Sequence, residues 1–373
     1  MNFACIHVRI RVNAQVLDSV KHIWENRYVV ESISVTYMTE KKVKRLTRIQ
    51  LGLIVAIIIV AGVVVAYFLW PRPKTQLIVS TTTSLYETGF LDYLKQNFEQ
   101  KNPGYNVSFI SQGTGQAIQT AKLGQADMIL VHDPPSELNF LNTSYGVNRK
   151  VIAYNFFLIA GPSNDPAAIN GSLPLDALKK IKAAGEAGNA IWVSRGDGSG
   201  THSKEKRLWA AAGINYTQIS KESWYLSAGQ GMTATLQMAD QKNAYTLSDK
   251  ASYLNNFKKG NIQLANLVEG GKDLLNVYSA IPCNPQKLIN AKFDAAMALT
   301  KYLVSDDGQA LFSNFGVKDF GEAIFKPWIP VLKSGTPADI KQMVQNYAYF
   351  KDSTGTLSEC PTQYRYNAGD LYS

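Results

Sequence analysis

Residues 107–131 read VSFISQGTGQAIQTAKLGQADMILV and decide the fold class. Two short apolar runs, VSFIS (107–111) and DMILV (127–131), flank a helical stretch from about residue 116 to residue 123. Short apolar runs that alternate with helical stretches are typical of parallel sheets in which a helix connects consecutive strands. The segment therefore predicts a strand–helix–strand unit of a doubly wound α/β sheet.

The same alternation continues on both sides of this unit. Upstream, QLIVS (76–80) predicts a first strand; downstream, VIAYNFFLIAG (151–161) and NVYSAIPCN (276–284) predict two long strands that cross between lobes. The sequence thus predicts an α/β protein with two doubly wound lobes joined by two crossover strands. The predicted boundaries are residues 76–160 plus 278–328 for lobe 1, 161–277 for lobe 2, and 329–373 for a C-terminal extension.

A membrane anchor is predicted near the N-terminus. Residues 51–70 read LGLIVAIIIVAGVVVAYFLW and carry no charge, and a helix of this length spans about 30 Å, the thickness of the hydrocarbon core. Basic residues crowd its N-terminal flank, which places residues 1–50 in the cytoplasm and everything after Pro71 outside. Residues 71–75 form a short linker. A cleaved signal peptide is the alternative, although its apolar region is normally shorter.

The start of the chain fits no recognisable pattern. Residues from Met38 onward resemble a short basic lead-in to an anchor, whereas residues 1–37 show no clear period. We expect that the true start is Met38 and that residues 1–37 are mis-assigned. The alternative is a genuine cytoplasmic extension.

The basic charge of the chain is local. The formal net charge is +9, but residues 1–50 hold nine Lys or Arg against four Asp or Glu, and residues 51–75 add Arg72 and Lys74. The external part is nearly neutral, so the charge gives no reason to expect nucleic-acid binding. With 46% hydrophobic and 18% charged residues, the chain is long enough for a sizeable core.

Three cysteines are present, and only Cys283 and Cys360 lie in the predicted external part. A disulfide between them is predicted, because disulfides are permitted outside the cytoplasm and no other external partner exists in the chain. Two buried free thiols are the alternative. No Cys/His spacing indicates a metal site.

Four polar segments share one pattern, with small hydroxyl or glycine residues where a helix begins. Helix N-termini expose free N–H groups and a partial positive charge, and glycine lets the backbone approach a ligand closely. Four such segments that face one cleft would form an anion site. They are residues 80–84 (STTTS), 111–115 (SQGTG), 194–202 (SRGDGSGTH) and 229–233 (GQGMT).

Each segment taken alone is explained more simply as a helix cap. Arg195 is the only strong cation in the four segments and offers a planar set of donors suited to an oxyanion, whereas Asp197 is expected to orient Arg195 or to cap the following helix. Because no carboxylate faces the ligand, the segments favour a fully ionised oxyanion. No Gly-x-Ser-x-Gly motif occurs, and His132 and His202 are expected to be structural, so we predict no enzymatic activity.

Read together, these residues resemble the tungstate-binding proteins of tungstate ABC importers. The resemblance covers nearly all of residues 76–328. Two positions depart from the usual pattern: Gly198 stands where an acidic residue is common, and Phe156 where Asp is frequent. The shared motifs are TTTS (81–84), GTGQA (113–117), ADMILVHDP (126–134), YGVNR (145–149), YN (154–155), SRGD-x-SGTH (194–202), AYTLSD (244–249) and SDDGQAL (305–311).

The resemblance implies a type 2 periplasmic-binding-protein fold, a "Venus flytrap" that binds tungstate between its lobes without a cofactor. It also implies delivery to an ABC permease driven by a cytoplasmic ATPase, by a monomer anchored in the cell membrane with its binding domain outside. The oxyanion ligands that it implies are Thr82, Thr83, Ser84, Thr114, Gly115, Arg195, Ser199, Thr201, Gly231 and Met232, the last two through their backbone.

Three alternatives stay open. Molybdate has nearly the same size and charge as tungstate, and sulfate and phosphate come behind it. A membrane-anchored oxyanion sensor is a second alternative, although about 50 cytoplasmic residues are few for a signalling module. A surface hydrolase is the third and would need a nucleophile–base pair.

Overall fold

The computed structural model describes residues 47–69 and 73–373. The chain divides into two compact units, Met1–Pro71 and Arg72–Ser373. In the first unit the described element is the helix Arg48–Leu69. Among the described residues, none of the helices is both long and apolar enough to cross a membrane. The predicted anchor is therefore not confirmed, and the expected start at Met38 lies outside the described residues.

The second unit alternates strands and helices. Fourteen α-helices are described in it, and most follow a strand directly: Thr83–Glu87, Phe90–Lys101, Thr114–Lys122, Pro134–Asn142, Pro174–Glu186, Gly200–Ala211, Tyr216–Ile219, Met232–Gln241, Lys250–Lys258, Phe293–Val304, Asp306–Asn314, Val317–Phe320, Trp328–Ser334 and Ala338–Ala348. The strands are β1 (Thr75–Thr82), β2 (Tyr105–Gln112), β3 (Met128–Val131), β4 (Lys150–Gly161), β5 (Trp192–Ser194), β6 (Tyr225–Ser227), β7 (Thr246–Asp249), β8 (Ala265–Glu269), β9 (Leu275–Pro282), β10 (Lys326–Pro327), β11 (Phe350–Lys351) and β12 (Leu357–Ser358).

The first part of the sheet has the strand order β2-β1-β3-β9-β4-β10. β1 pairs in parallel with β2 and β3, as the sequence predicts for strands joined by helices. The expected parallel pairing does not extend to β9, which runs antiparallel to both β3 and β4. The physical reason is the chain path: β4 leaves this part of the sheet, and β9 returns to it beside β4 and in the opposite direction.

Strand β4 belongs to two sheet regions. Its first half, up to Phe156, pairs with β9, and its second half, from Phe157 onward, pairs with β7 and β8. β5 and β6 pair in parallel and join β7 through the bridge between Trp192 and Tyr245. We call the elements around β1, β2 and β3 the first lobe, and the elements around β5 to β8 the second lobe. The exact lobe boundaries given by the sequence stay a prediction.

Each lobe has its own apolar core. The first-lobe core includes Phe90, which stacks on Phe312 at a centroid distance of 4.8 Å. The second-lobe core is built around Trp192 and Trp209, which meet edge to face at 5.2 Å. Buried aromatic pairs of this kind stabilise a core beyond their area alone. The two cores hold the strand ends, and hence the loops that follow them, in fixed positions.

The C-terminal extension packs on the crossover strands. Ile329, Val331 and Val344 lie in one apolar cluster with Val151 of β4 and Val277 of β9. Polar contacts to Glu359 of the extension reinforce the packing. Nζ of Lys150 donates to Oε1 of Glu359 at 2.6 Å, and Nη1 of Arg149 donates to the backbone oxygen of Glu359 at 2.8 Å. Arg149 also forms a fully buried ion pair with Glu137.

The predicted disulfide between Cys283 and Cys360 is wrong, because both thiols are free and buried. A disulfide needs two sulfur atoms facing each other at about 2.05 Å. Here Sγ of Cys283 faces the carbonyl oxygen of Ala126 at 3.3 Å, and Sγ of Cys360 faces that of Tyr364 at 3.6 Å. Burial raises the pKa of both thiols, which keeps them protonated and unreactive.

Candidate oxyanion site

The first polar segment follows β1. Oγ1 of Thr82 caps the helix Thr83–Glu87 by accepting the N–H of Leu85 at 3.3 Å. Oγ of Ser84 lies 3.3 Å from Oγ1 of Thr82 and 3.4 Å from Nε2 of His132. The capping interpretation thus holds for the Thr82 oxygen, while the hydroxyls of Thr82 and Ser84 form one buried polar group at the start of the helix.

The second segment contacts the opposite lobe. Gly113 is the N-cap of the helix Thr114–Lys122, and Gly115 lies in its first turn. Oγ1 of Thr114 accepts the backbone N–H of Gly200 at 2.9 Å. A Cβ atom added to Gly113 would lie 3.9 Å from the backbone oxygen of Asp197, so the two backbones approach closely. The second and third segments therefore meet across the cleft.

The third segment places Arg195 between the lobes. The guanidinium is only 2% exposed; its Nε donates to Oδ2 of Asp197 at 2.9 Å and its Nη2 donates to Oγ1 of Thr83 at 2.5 Å. Asp197 also accepts the N–H of Ser199 at 3.0 Å. Of the two roles expected for Asp197, orienting Arg195 is thus present, whereas the following helix is capped by Ser199. Both carboxylate oxygens of Asp197 are thus engaged, one of them in an ion pair with Arg195, the cation of this segment.

Glycine is required at the turn after Arg195. Gly196 has φ +66°, a left-handed conformation that residues with a side chain rarely adopt. A Cβ atom at this position would also lie 1.9 Å from Oγ of Ser227. The turn carries the chain to Ser199, whose Oγ caps the helix Gly200–Ala211 by accepting the N–H of His202 at 3.3 Å.

Thr201 is the residue in this segment whose side chain is left without a partner. It lies in the first turn of the helix Gly200–Ala211 and is 0% exposed. Among the described residues, its Oγ1 finds no hydrogen-bond partner. An unpaired buried hydroxyl costs about 1–3 kcal/mol, so such groups are normally satisfied by protein, water or ligand. A hydroxyl in this position has the chemistry to donate to a bound oxyanion.

In the fourth segment, the expected ligands are backbone groups. Gly231 is the N-cap of the helix Met232–Gln241 and makes no side-chain capping bond. The side chain of Met232 is fully buried in a cluster with Val193 and Leu236, so only its backbone can reach the cleft. This agrees with the backbone role expected for both residues. Their assignment as oxyanion ligands, like that of the other predicted site residues, stays a prediction.

Two histidines border the site. Nδ1 of His132 lies 2.9 Å from Oδ1 of Asn276, and burial lowers the pKa of His132 despite the nearby carboxylate of Asp249. Nδ1 of His202 accepts the N–H of Gly198 at 3.0 Å, and burial is also the main reason that its pKa is lowered. The side chain of His202 thus holds the turn before the helix Gly200–Ala211. His132 also contacts Oγ of Ser84, which brings it to the edge of the site.

Glu87 is a further residue that the sequence pattern does not reveal. It ends the helix Thr83–Glu87 of the first lobe, but its Oε2 accepts the hydroxyl of Thr233 in the second lobe at 2.9 Å. Its position beside Gly231 depends on lobe packing, and no local motif signals it. The four segments line the cleft between the lobes with hydroxyls, helix N-termini and one arginine, and the carboxylate of Glu87 lies at its edge.

A two-lobed α/β fold with such a cleft defines a binding protein, and the comparisons agree. Residues 71–307 match the family described as a PBP superfamily domain, and the chain belongs to this periplasmic-binding-protein superfamily. Within it, the chain belongs to the tungstate-binding proteins of ABC transporters.

Three relatives illustrate the similarity. The tungstate-binding protein TupA of Peptoclostridium acidaminophilum is 38% identical over 69% of this chain and 87% of its own. A putative ABC transporter anion-binding protein of Haloferax volcanii is 43% identical over 68% of this chain and 72% of its own. The solved structure of TupA from Desulfovibrio alaskensis G20 has 38% identity and a TM-score of 0.58, covering 68% of this chain and 98% of that chain.

Proposed function

We propose that this chain captures the tungstate oxyanion between its two lobes and delivers it to an ABC import permease powered by a cytoplasmic ATPase. The observation that carries the proposal is the buried, unpartnered hydroxyl of Thr201, which lies six residues after the buried guanidinium of Arg195. The relatives named for tungstate binding support the choice of anion.

The donors of the cleft suit a fully ionised oxyanion. Arg195 supplies the positive charge, and its planar guanidinium can donate two parallel hydrogen bonds to one anion. Hydroxyls and the first N–H groups of the helices supply further donors, while Asp197 is occupied by Arg195 and Ser199. Hydrogen phosphate requires an acceptor for its proton, and this donor set favours tungstate over it. The proposed ligands are Thr82, Thr83, Ser84, Thr114, Gly115, Arg195, Ser199, Thr201, Gly231 and Met232.

The proposed output of binding is lobe closure. The direct bonds from Arg195 to Thr83 and from Gly200 to Thr114 join the two lobes at the cleft. An anion that contacts both lobes favours the closed arrangement, which a permease can distinguish from the open one. In this proposal the chain binds no nucleotide, performs no reaction and acts as a monomer.

We further propose that residues 51–70 hold the protein at the cell membrane with its binding domain outside. The support is the uncharged twenty-residue sequence and its basic N-terminal flank. Fractionation of cells that produce the full chain, before and after alkaline carbonate washing, tests this. Release of the intact chain by carbonate would contradict an integral anchor.

Titration calorimetry of the compact unit Arg72–Ser373 tests the choice of ligand. Tungstate should bind tightly, and phosphate in large excess should not displace it. Competition by phosphate at near-equal concentration would reject the donor-only interpretation. Molybdate binding far tighter than tungstate would instead reassign the ligand within the same fold, because the two anions differ little in size and charge.

A further inference from the structure

Glu87 links the two lobes at a point outside the predicted ligand set. Its Oε2 accepts the hydroxyl of Thr233 at 2.9 Å, and its backbone oxygen accepts Nδ2 of Asn255 at 3.1 Å. Both partners belong to second-lobe helices, whereas Glu87 ends a helix of the first lobe. Glu87 therefore makes two contacts that exist only while the lobes are together.

The carboxylate also lies at an uncapped helix start. The ten-residue helix Met232–Gln241 has Gly231 as its N-cap, and glycine provides no side chain to accept the first N–H groups. A Cβ atom added to Gly231 would lie 3.1 Å from Oε1 of Glu87. A carboxylate near a helix N-terminus is stabilised by the partial positive charge there. The first lobe thus places an acidic group where the second-lobe helix lacks a cap of its own.

We propose that Glu87 is a positioning residue that latches the closed lobes by accepting the Thr233 hydroxyl beside the start of the helix Met232–Gln241, and so slows release of the bound oxyanion. The inference rests on the proposed function, because release is measured with tungstate. Glu87 acts through Thr233 and the helix start and does not itself bind the anion. Loss of the latch should leave capture unchanged and shorten the lifetime of the closed complex.

A competing effect has the opposite sign. Glu87 is negatively charged, so its removal would also relieve any repulsion of a bound dianion and would tighten binding. Glu87→Gln separates the two effects: it keeps an oxygen that can accept the Thr233 hydroxyl but removes the charge. If the latch dominates, Glu87→Ala weakens binding more than Glu87→Gln; if repulsion dominates, both variants tighten it.

The experiment is a double-mutant cycle on the purified full chain, followed by stopped-flow dissociation of tungstate. Glu87→Ala and Thr233→Val should each raise the dissociation rate about three- to tenfold, the range of a solvent-accessible charge-assisted hydrogen bond, with an unchanged association rate. The double variant should be no worse than the stronger single variant, because both single variants remove the hydrogen bond between Glu87 and Thr233. Thr233→Val also removes the bond from Nδ2 of Asn256, which lies within the second lobe. Asp92→Ala is the matched control, since it removes an exposed carboxylate from a neighbouring first-lobe helix.

Lobe closure is measured in parallel with spin labels at Gln100→Cys and Lys221→Cys, two exposed positions in different lobes. Glu87→Ala should lower the short-distance population with and without tungstate. Fully additive rate effects, tighter binding by Glu87→Ala, or an unchanged distance distribution would overturn the latch. If the unmodified protein fails to bind tungstate, the proposed function fails, while the distance measurement still tests the latch.

Discussion

Thr201→Val should weaken oxyanion binding without harming the fold. Valine has nearly the same shape as threonine and lacks only the hydroxyl. Because Oγ1 of Thr201 is buried and unpartnered, its removal takes no hydrogen bond from the protein itself. The melting temperature should therefore stay the same or rise, since an unsatisfied buried hydroxyl costs about 1–3 kcal/mol. A hydrogen bond to a charged ligand is worth about 1.5–3 kcal/mol, so the Kd for tungstate should rise roughly 10- to 150-fold.

Thr246→Val is the matched control for this prediction. Thr246 is equally buried, but its Oγ1 donates to the carbonyl oxygen of Val193 at 2.8 Å. This variant should lower the melting temperature and leave the Kd unchanged, the opposite signature to Thr201→Val. Differential scanning calorimetry and isothermal titration on both variants provide the comparison. A Thr201→Val protein that melts earlier and binds tungstate normally would refute the role of Thr201 as a ligand.

The remaining predictions concern the cation of the site, its turn and a buried amine. Arg195→Lys should weaken tungstate binding by roughly 10- to 150-fold and reduce discrimination against molybdate. The reason is that the lysine ammonium cannot reach both Asp197 and Thr83, as the guanidinium does. Unchanged affinity would place Arg195 outside the site. Gly196→Ala should lower the melting temperature, since Cβ would collide with Ser227; an unchanged melting temperature would show that the turn rearranges freely. Burial lowers the pKa of Lys204 from its ordinary value of 10.5 to about 7. The free-energy cost of burying its ammonium is therefore present in full below pH 7 and decreases as the pH rises from 7 to 10.5. Lys204→Met should therefore raise the melting temperature more at pH 6 than at pH 9, and equal gains at both pH values would contradict this.

The sequence predicts the strands and helix caps that depend on interactions between residues close together in the chain. β1 and β3 follow from short apolar runs, and the length of the apolar run in β4 is what lets one strand serve two sheet regions. The hydroxyl residues before helices also have local causes, because Thr82 and Ser199 accept N–H groups within the next three residues. The sequence pattern therefore predicts where the donors lie along the chain.

Contacts between distant residues have no such signal. Cysteine counting predicts a bridge between Cys283 and Cys360, yet whether two sulfur atoms face each other depends on the packing of the extension, which uses Lys150 and Glu359 instead. The direction of β9 likewise follows from the return of the chain and not from its residues. Glu87 and Thr233 are 146 positions apart, so only the folded arrangement brings them together.

A crystal structure of the protein soaked in sodium tungstate, with data collected at the tungsten absorption edge, tests the proposed tungstate site. We expect one strong anomalous peak in the cleft, placed so that the tungstate oxygens lie within hydrogen-bond distance of the Arg195 guanidinium and Oγ1 of Thr201. A peak elsewhere on the protein, with the cleft empty at saturating tungstate, would contradict it.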